Sequence, residues 1–310
     1  MGSGLLRRCT VAASLAAGLL LPALPIPAAP APAEPAAAQA DASPQSQAVV
    51  DLVEAAAQEV KRRGEAAFAD FRVPGSRWYQ GERYVFVVQP DGQRLVYPPD
   101  PAHEQSNILK FQDVGGKTFA RLIIEQAAEG RGRGWVHYQW TRPNPHDRRP
   151  VWKSTYVVRV TAPSGRTYLV ASGTYDGPTE KAFIVEEVEA AAALLQRQGR
   201  AAFPQLRDPT GRFLFRDTYV FVDTPAGVEL VNPAFPELEG RNLSDLRDAS
   251  GKMPVREYIA KALADGSGWT QYYWLRPGGS KLQTLKSTYV RKVVLPDGET
   301  LIVGSGLYEP

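Results

Sequence analysis

The chain has 310 residues, 44% hydrophobic and 22% charged, enough apolar material to bury one large core or two smaller ones. Its 36 Lys and Arg stand against 33 Asp and Glu, and a net charge of +3 is too small to argue for nucleic acid or an anionic membrane as partner.

The first forty residues set the compartment. Arg7 and Arg8 precede an apolar run over residues 11–21, a Pro/Ala-rich stretch follows, and Ala38-Gln39-Ala40 is a small-residue pattern of the kind a signal peptidase cuts. Residues 1–40 therefore read as a secretory signal peptide. Pro22, Pro25 and Pro27 end the apolar run short of the roughly 18 to 20 residues that a membrane-spanning helix needs. Cys9 follows two arginines, unlike the processed cysteine of a lipoprotein. Once this segment is removed no cysteine remains, which excludes disulfides, thiolate metal sites and a Cys nucleophile. No later stretch is apolar enough to span a bilayer, so the expected product is periplasmic or secreted.

From residue 41 the chain runs through one series of elements twice. A helical stripe comes first, with Val49, Leu52, Val53, Ala56 and Val60 in one copy and Val185, Val188, Ala192 and Leu195 in the other. An Ala-Ala-Phe segment at Phe68 or Phe203 leads to a strand over residues 84–88 or 219–223, a Pro/Gly turn, and a return strand near Val96 or Val231. A polar segment follows, in which Asn107, Asp113, Gly116 and Lys117 answer Asn242, Asp248, Gly251 and Lys252. Next come a short helix over residues 119–127 or 255–264 and three strands joined largely as a meander. The repeat of about 135 residues is far longer than the roughly 20 to 50 of solenoids, so each copy is expected to be a domain with its own core. Asp176-Gly177-Pro178 punctuates the chain between them, giving expected domains at 41–176 and 177–310. Hairpin turns leave no room for parallel crossovers, so the class is α+β: in each domain a long N-terminal helix and a mainly antiparallel sheet of about five strands, with the helices set to one side.

The best-kept stretch reads Gly134-Trp135-Val136-His137-Tyr138-Gln139-Trp140, then Arg142-Pro143, then Lys153-Ser154-Thr155-Tyr156-Val157. It returns as Gly268-Trp269-Thr270-Gln271-Tyr272-Tyr273-Trp274, then Arg276-Pro277, then Lys286-Ser287-Thr288-Tyr289-Val290. On a strand, Tyr138 and Trp140 share a face, as do Tyr272 and Trp274, while Trp135 and Trp269 fall opposite. Two readings stay open for these rings: core beneath a helix, or walls of a small-ligand pocket whose charge comes from the recurring lysine.

With its closing Gly-Thr-Tyr or Gly-x-Gly-x-Tyr, this combination resembles the extracytoplasmic sensory Cache family, especially its single-Cache type, and the resemblance covers each repeat. It implies two tandem PAS-like Cache domains and a pocket for short organic acids or amino acids. Carried over residue by residue, the ligand-binding candidates are Tyr84, Trp135, Tyr138, Trp140, Lys153 and Tyr156 in the first domain. In the second they are Tyr219, Trp269, Tyr272, Trp274, Lys286 and Tyr289. Most relatives sit between the membrane helices of receptors, kinases or cyclases, whereas this sequence ends just after its last strand.

An enzyme is not expected. The three histidines are His103, His137 and His146, and Gln271 answers His137 in the second copy. Phosphate-cradling, dinucleotide, metal-spacing and nucleophile-elbow motifs are missing from the sequence, so no catalytic residue, metal or cofactor is predicted. Asp113 and Asp248 lie in loops beside a Gly-Lys pair and read as turn residues. The expected function is an exported sensory or solute-binding protein that recognises small carboxylates. The alternative is an interaction module docking a membrane receptor or transporter without ligand.

Overall fold

Helix α1 (Pro44–Arg63) opens the first repeat in the computed structural model of the chain. The structure describes Met1 and residues 42–144, 146–279 and 282–309. The signal-like segment, with Cys9, lies outside the described residues. Ser43 caps α1 by accepting from the Ser46 amide at 3.2 Å, Pro44 supplies the preset first turn, and Gly64, at φ 61°, ends it. Val49, Val53, Ala56 and Val60 are fully buried, as their spacing predicts.

Short helix α2 (Phe68–Phe71) leads to strands β1 (Tyr79–Gln80), β2 (Arg83–Tyr84), β3 (Phe86–Val88) and β4 (Arg94–Val96). Helix α3 (Phe119–Ala128) then precedes the long strands β5 (Arg133–Thr141), β6 (Pro150–Thr161) and β7 (Thr167–Tyr175). The second repeat restates this with α4 (Lys181–Gln198), α5 (Phe203–Arg207), β8 (Leu214–Phe215), β9 (Thr218–Tyr219), β10 (Phe221–Asp223) and β11 (Glu229–Val231). It closes with α6 (Pro254–Asp265), β12 (Ser267–Leu275), β13 (Gln283–Val294) and β14 (Thr300–Tyr308).

Each repeat holds a five-stranded antiparallel sheet, in the order β4-β3-β7-β6-β5 and β11-β10-β14-β13-β12. The run expected as a single strand over residues 84–88 is divided. Tyr84 pairs back on Tyr79 through a tight turn at Gly81, whose φ of 58° suits glycine, and only Phe86–Val88 joins the large sheet. Two-residue strands lie below what apolar periodicity can register, which is why this hairpin is not legible in the sequence.

Helices cover both faces of each sheet, not one. Trp135, Tyr156, Val158 and Val170 pack under α1, whereas Val136, Tyr138, Val157 and Ala171 pack under α3. Strands β6 and β7 are buried at successive residues, so both of their faces must be kept from water. The second sheet is enclosed by α4 and α6 in the same way.

The repeats also touch. Phe183 of α4 and Phe215 of β8 belong to the first repeat's core, with Phe183 5.0 Å from the Trp135 ring and Phe215 stacked on His137 at 4.0 Å. Glu180 accepts from the Ser43 amide and from the hydroxyls of Ser43 and Ser46 at 2.7–2.8 Å. No described helix is long and apolar enough to cross a membrane.

Candidate functional site

Strand parity divides the twelve candidate residues into two groups. Tyr84, Tyr138, Trp140 and Lys153 gather on the α3 side of the first sheet, and Tyr219, Tyr272, Trp274 and Lys286 on the α6 side of the second. Trp135 and Tyr156, with Trp269 and Tyr289, lie on the opposite faces beneath α1 and α4. The structure therefore does not bring these four to the lysines. Tyr156 and Tyr289 stand three residues from Lys153 and Lys286, and an odd step along a strand reverses the face. Their hydroxyls donate to Glu54 and Glu189 of the long helices instead, at 3.2 and 3.3 Å.

Lys153 is buried at 2% exposure and donates to the Tyr84 hydroxyl at 2.8 Å, which lies 3.1 Å from that of Tyr175. Its ammonium sits 4.6 Å from the Tyr84 ring centre and 4.8 Å from that of Tyr175, close enough for cation–π attraction. Burial pushes its amine down to about 7. Lys286 repeats the arrangement over the rings of Tyr219, at 4.1 Å, and Tyr308, at 5.1 Å, and burial likewise lowers it to about 7 against the opposing pull of Glu229. Among the described residues no carboxylate forms an ion pair with either ammonium. Gly306 on the neighbouring strand leaves room there, since a β-carbon would stand 2.6 Å from the Ser287 carbonyl, 2.7 Å from the Thr288 hydroxyl and 2.9 Å from the Lys286 Cε.

The two sites differ in the residues packed beside the lysine. In the first, Phe119 opens α3 and lays its ring on Tyr138, with centroids 4.7 Å apart and planes 15° apart, and against Trp140 at 4.8 Å. In the second, Pro254 opens α6, and a cavity of about 10 Å³, the room of roughly one water, is lined by Tyr219, Phe221, Glu229, Asn232, Leu243, Tyr258, Tyr272, Trp274 and Lys286. Three polar lining residues, Glu229, Asn232 and Tyr258, and Asp223 bonded to Tyr258, are not among the sequence candidates. Tyr258 donates to Asp223 at 2.6 Å and Asn232 to Glu229 at 2.5 Å. Burial, then mutual repulsion, raises Asp223 far above the usual carboxylate range, and burial lifts Glu229 to about 7. A charged residue inside the apolar run Phe221-Val222-Asp223 was the available signal. The repeat does not carry that signal, since Val88 stands at the same place in the first copy.

Asp113 and Asp248 are turn residues. Oδ1 of Asp113 accepts the amides of Gly115 and Lys117 while Oδ2 accepts that of Gln139 on edge strand β5. Oδ1 of Asp248 accepts the Ser250 and Lys252 amides and Oδ2 that of Tyr273 on β12. His137 is enclosed where the repeats meet, beside a second cavity of about 20 Å³ lined in part by Glu186, Glu187 and Arg212. Burial, then nearby cations, lowers it to about 3, so it is neutral at pH 7, with Nδ1 2.9 Å from the Ser154 hydroxyl. Among the described residues, no group of three or more His, Cys, Asp or Glu is placed to hold a metal ion.

The single Cache domain 2 family matches residues 45–162, and a second Cache domain family matches residues 200–309. The methyl-accepting chemotaxis protein McpP of Pseudomonas putida is 32% identical over 92 residues, 30% of this chain; the match spans 16% of that relative's length. Among solved structures, a periplasmic sensor domain of a chemotaxis protein is 32% identical, over 42% of this chain and 95% of that one, with a TM-score of 0.37. A Cache chemosensory domain studied for carboxylic acid recognition is 25% identical, over 41% and 91%, with a TM-score of 0.36.

Proposed function

Because the chain belongs to the Cache family, with a copy of the domain in each repeat, we propose that it is an exported small-molecule-binding protein of the sensory type that recognises small carboxylates without transforming them. The domains are residues 41–176 and 177–310, following a cleaved signal over residues 1–40. One observation carries the carboxylate assignment: the Lys286 ammonium is enclosed by aromatic rings, borders a cavity, and has no ion-pair partner among the described residues. A buried cation without an anion is costly, and a ligand carboxylate within hydrogen-bond reach offsets that cost with a charge-assisted bond. Tyr219 and Tyr272 supply the walls, and Trp274 the outer edge.

The test is calorimetry on purified protein against acetate, propanoate, pyruvate and succinate. At least one of them releases heat, and Lys286→Met removes it. No heat from any member overturns the assignment.

The first repeat supports a second reading. Its Phe119, Tyr138 and Trp140 rings pack closely on one another. This favours the first domain as the part that docks a membrane receptor or transporter. Recovery of an envelope protein by the full chain, lost when the surface of the first domain is altered and kept when Lys286 is, tests it.

A further inference from the structure

Strand β5 presents Trp135 and His137 at the edge of the first sheet, and the second repeat covers them. Phe183 lies 5.0 Å from the Trp135 ring and 4.7 Å from that of His137. Glu186 accepts the Trp135 amide at 2.6 Å and the Gln126 side-chain amide at 3.0 Å, while Glu180 accepts the Ser46 hydroxyl at 2.7 Å. One short segment makes all these contacts. It reads Glu180-Lys181-Ala182-Phe183-Ile184-Val185-Glu186, an aromatic ring with a carboxylate three residues to either side.

Strand β12 offers the same edge again. Trp269 and Gln271 stand where Trp135 and His137 stand in the first copy, and residues Gly268 to Gln271 are each more exposed than their counterparts. The Lys181 ammonium, 5.2 Å from the Trp269 ring centre, takes the place that Phe183 holds over Trp135. Asp248 accepts the Tyr273 amide, so the Trp269 amide, an even step along the strand, points outward too, and no described residue accepts it.

Charge separates the two edges. Ser46 and Gln126, the side chains that donate to Glu180 and Glu186, are replaced in the second repeat by Lys181 and Lys261. Lys181 has no ion-pair partner among the described residues, and Lys261 holds Asp265 at 2.8 Å in an exposed pair of the kind that contributes little. Both places that meet an acid on the covered edge thus carry a cation on the open one. The first repeat of a second copy does not match this, since Gln45, Ala48 and Asp51 stand in place of Glu180, Phe183 and Glu186.

We propose that the β12 edge docks a segment of another protein in which an aromatic residue has carboxylates three residues to either side. The ring packs on Trp269, one carboxylate pairs with Lys181, and the other meets Lys261 and the Trp269 amide. This docking does not depend on what the second-repeat cavity binds.

The experiment is calorimetry on the full chain with a synthetic peptide of residues 178–198 as the probe. The chain's own copy of that segment covers β5, which leaves β12 as the matching face. The peptide binds at one site per chain, and Phe183→Ala in the peptide weakens binding by at least about tenfold, as loss of a buried aromatic anchor does. Glu180→Gln with Glu186→Gln in the peptide, or Lys181→Glu or Gln271→Arg in the protein, weakens it too, while thermal melts show the protein variants folded. Absence of binding overturns the proposal, as does binding that is indifferent to these changes. Self-association of the full chain in sedimentation, lost in Gln271→Arg, would assign the edge to a second copy and overturn it as well. Where a protein variant does not fold, the peptide series decides.

Discussion

The Phe119 ring lies 4.7 Å from that of Tyr138 and within 15° of parallel to it, and Pro254 stands in its place at the start of the second repeat's short helix. This is one of several exchanges between the two sites: Tyr97, whose ring stands 5.7 Å from that of Tyr84, gives way to Asn232, and Ile123 to Tyr258. Phe119→Ala removes a buried ring from a packed cluster, so unfolding stability falls by about 3 kcal/mol, as large-to-small core changes do. Urea denaturation measures the loss. A fall below about 1 kcal/mol would mean that the neighbouring rings collapse into the space.

Lys153 has no acid in an ion pair among the described residues, so its charge weakens the fold. Its folded value, about 7, lies below the ordinary 10.5. Between those values the unfolded chain holds a proton that the folded chain lacks, and stability therefore rises with pH from about 7 to 10.5 and is flat below 7 as far as this group is concerned. Lys153→Met removes that part of the rise and stabilises the protein at pH 6. The urea midpoint followed from pH 6 to pH 10 in both proteins shows it. Parallel profiles would mean that Lys153 keeps an ordinary value through contact with water.

Much of this arrangement is legible in the residues. The duplicated Trp-x-x-Tyr-x-Trp strand and the Lys strand gave the repeat, the antiparallel meander and the facing of Tyr138 with Trp140. The same alternation would have removed Trp135, Tyr156, Trp269 and Tyr289 from the pocket, since each sits an odd number of residues from a pocket-facing neighbour on its own strand. Other features leave no mark on the repeat. Asp223 and Glu229, whose counterparts are Val88 and Arg94, and Phe119, whose counterpart is Pro254, lie outside what the two copies share. Placement of helices on both sheet faces depends on burial at successive residues of β6 and β7, which a period-two pattern does not register.

Glu187 is another departure between the copies, with Leu52 at its place in the first, and it stands near the contact between the repeats. Ser305 donates to its Oε2 at 2.7 Å, while Oε1 has no partner, and burial raises its carboxyl to about 8. Because the folded value lies above the ordinary 4.5, the folded chain holds the extra proton between pH 4.5 and 8. The stability this group contributes is fully present below pH 4.5 and is lost as pH rises through 8. Glu187→Gln keeps an acceptor for Ser305 and removes the titration. The variant matches the parent at pH 4 and is more stable by one to several kcal/mol at pH 8, since one pKa unit is about 1.4 kcal/mol. Thermal melts at the two pH values check this, and a variant less stable than the parent at pH 8 would show that the ionised carboxylate has a favourable partner.

Lys117 and Lys252 occupy equivalent turns, but only Lys117 is buried, at 4% exposure. Its Nζ crosses to the second repeat and donates to the Leu214 carbonyl at 2.6 Å and to the Gly211 carbonyl. These bonds tie the segment around β8 to the turn that Asp113 organises, and Phe215 of β8 stacks on His137 beside them. Lys117→Met keeps the apolar stem and leaves both carbonyls without their charged donor. Hydrogen bonds to charged groups contribute about 1.5 to 3 kcal/mol, so a loss of that size is expected. It falls on the contact between the repeats, not on either core. Scanning calorimetry should therefore show the variant's unfolding broadening or separating into two transitions, while Lys252→Met, at an exposed site, shifts stability by less than about 0.5 kcal/mol. A single sharp transition at the parent's temperature in Lys117→Met would mean that ring packing alone holds the repeats together.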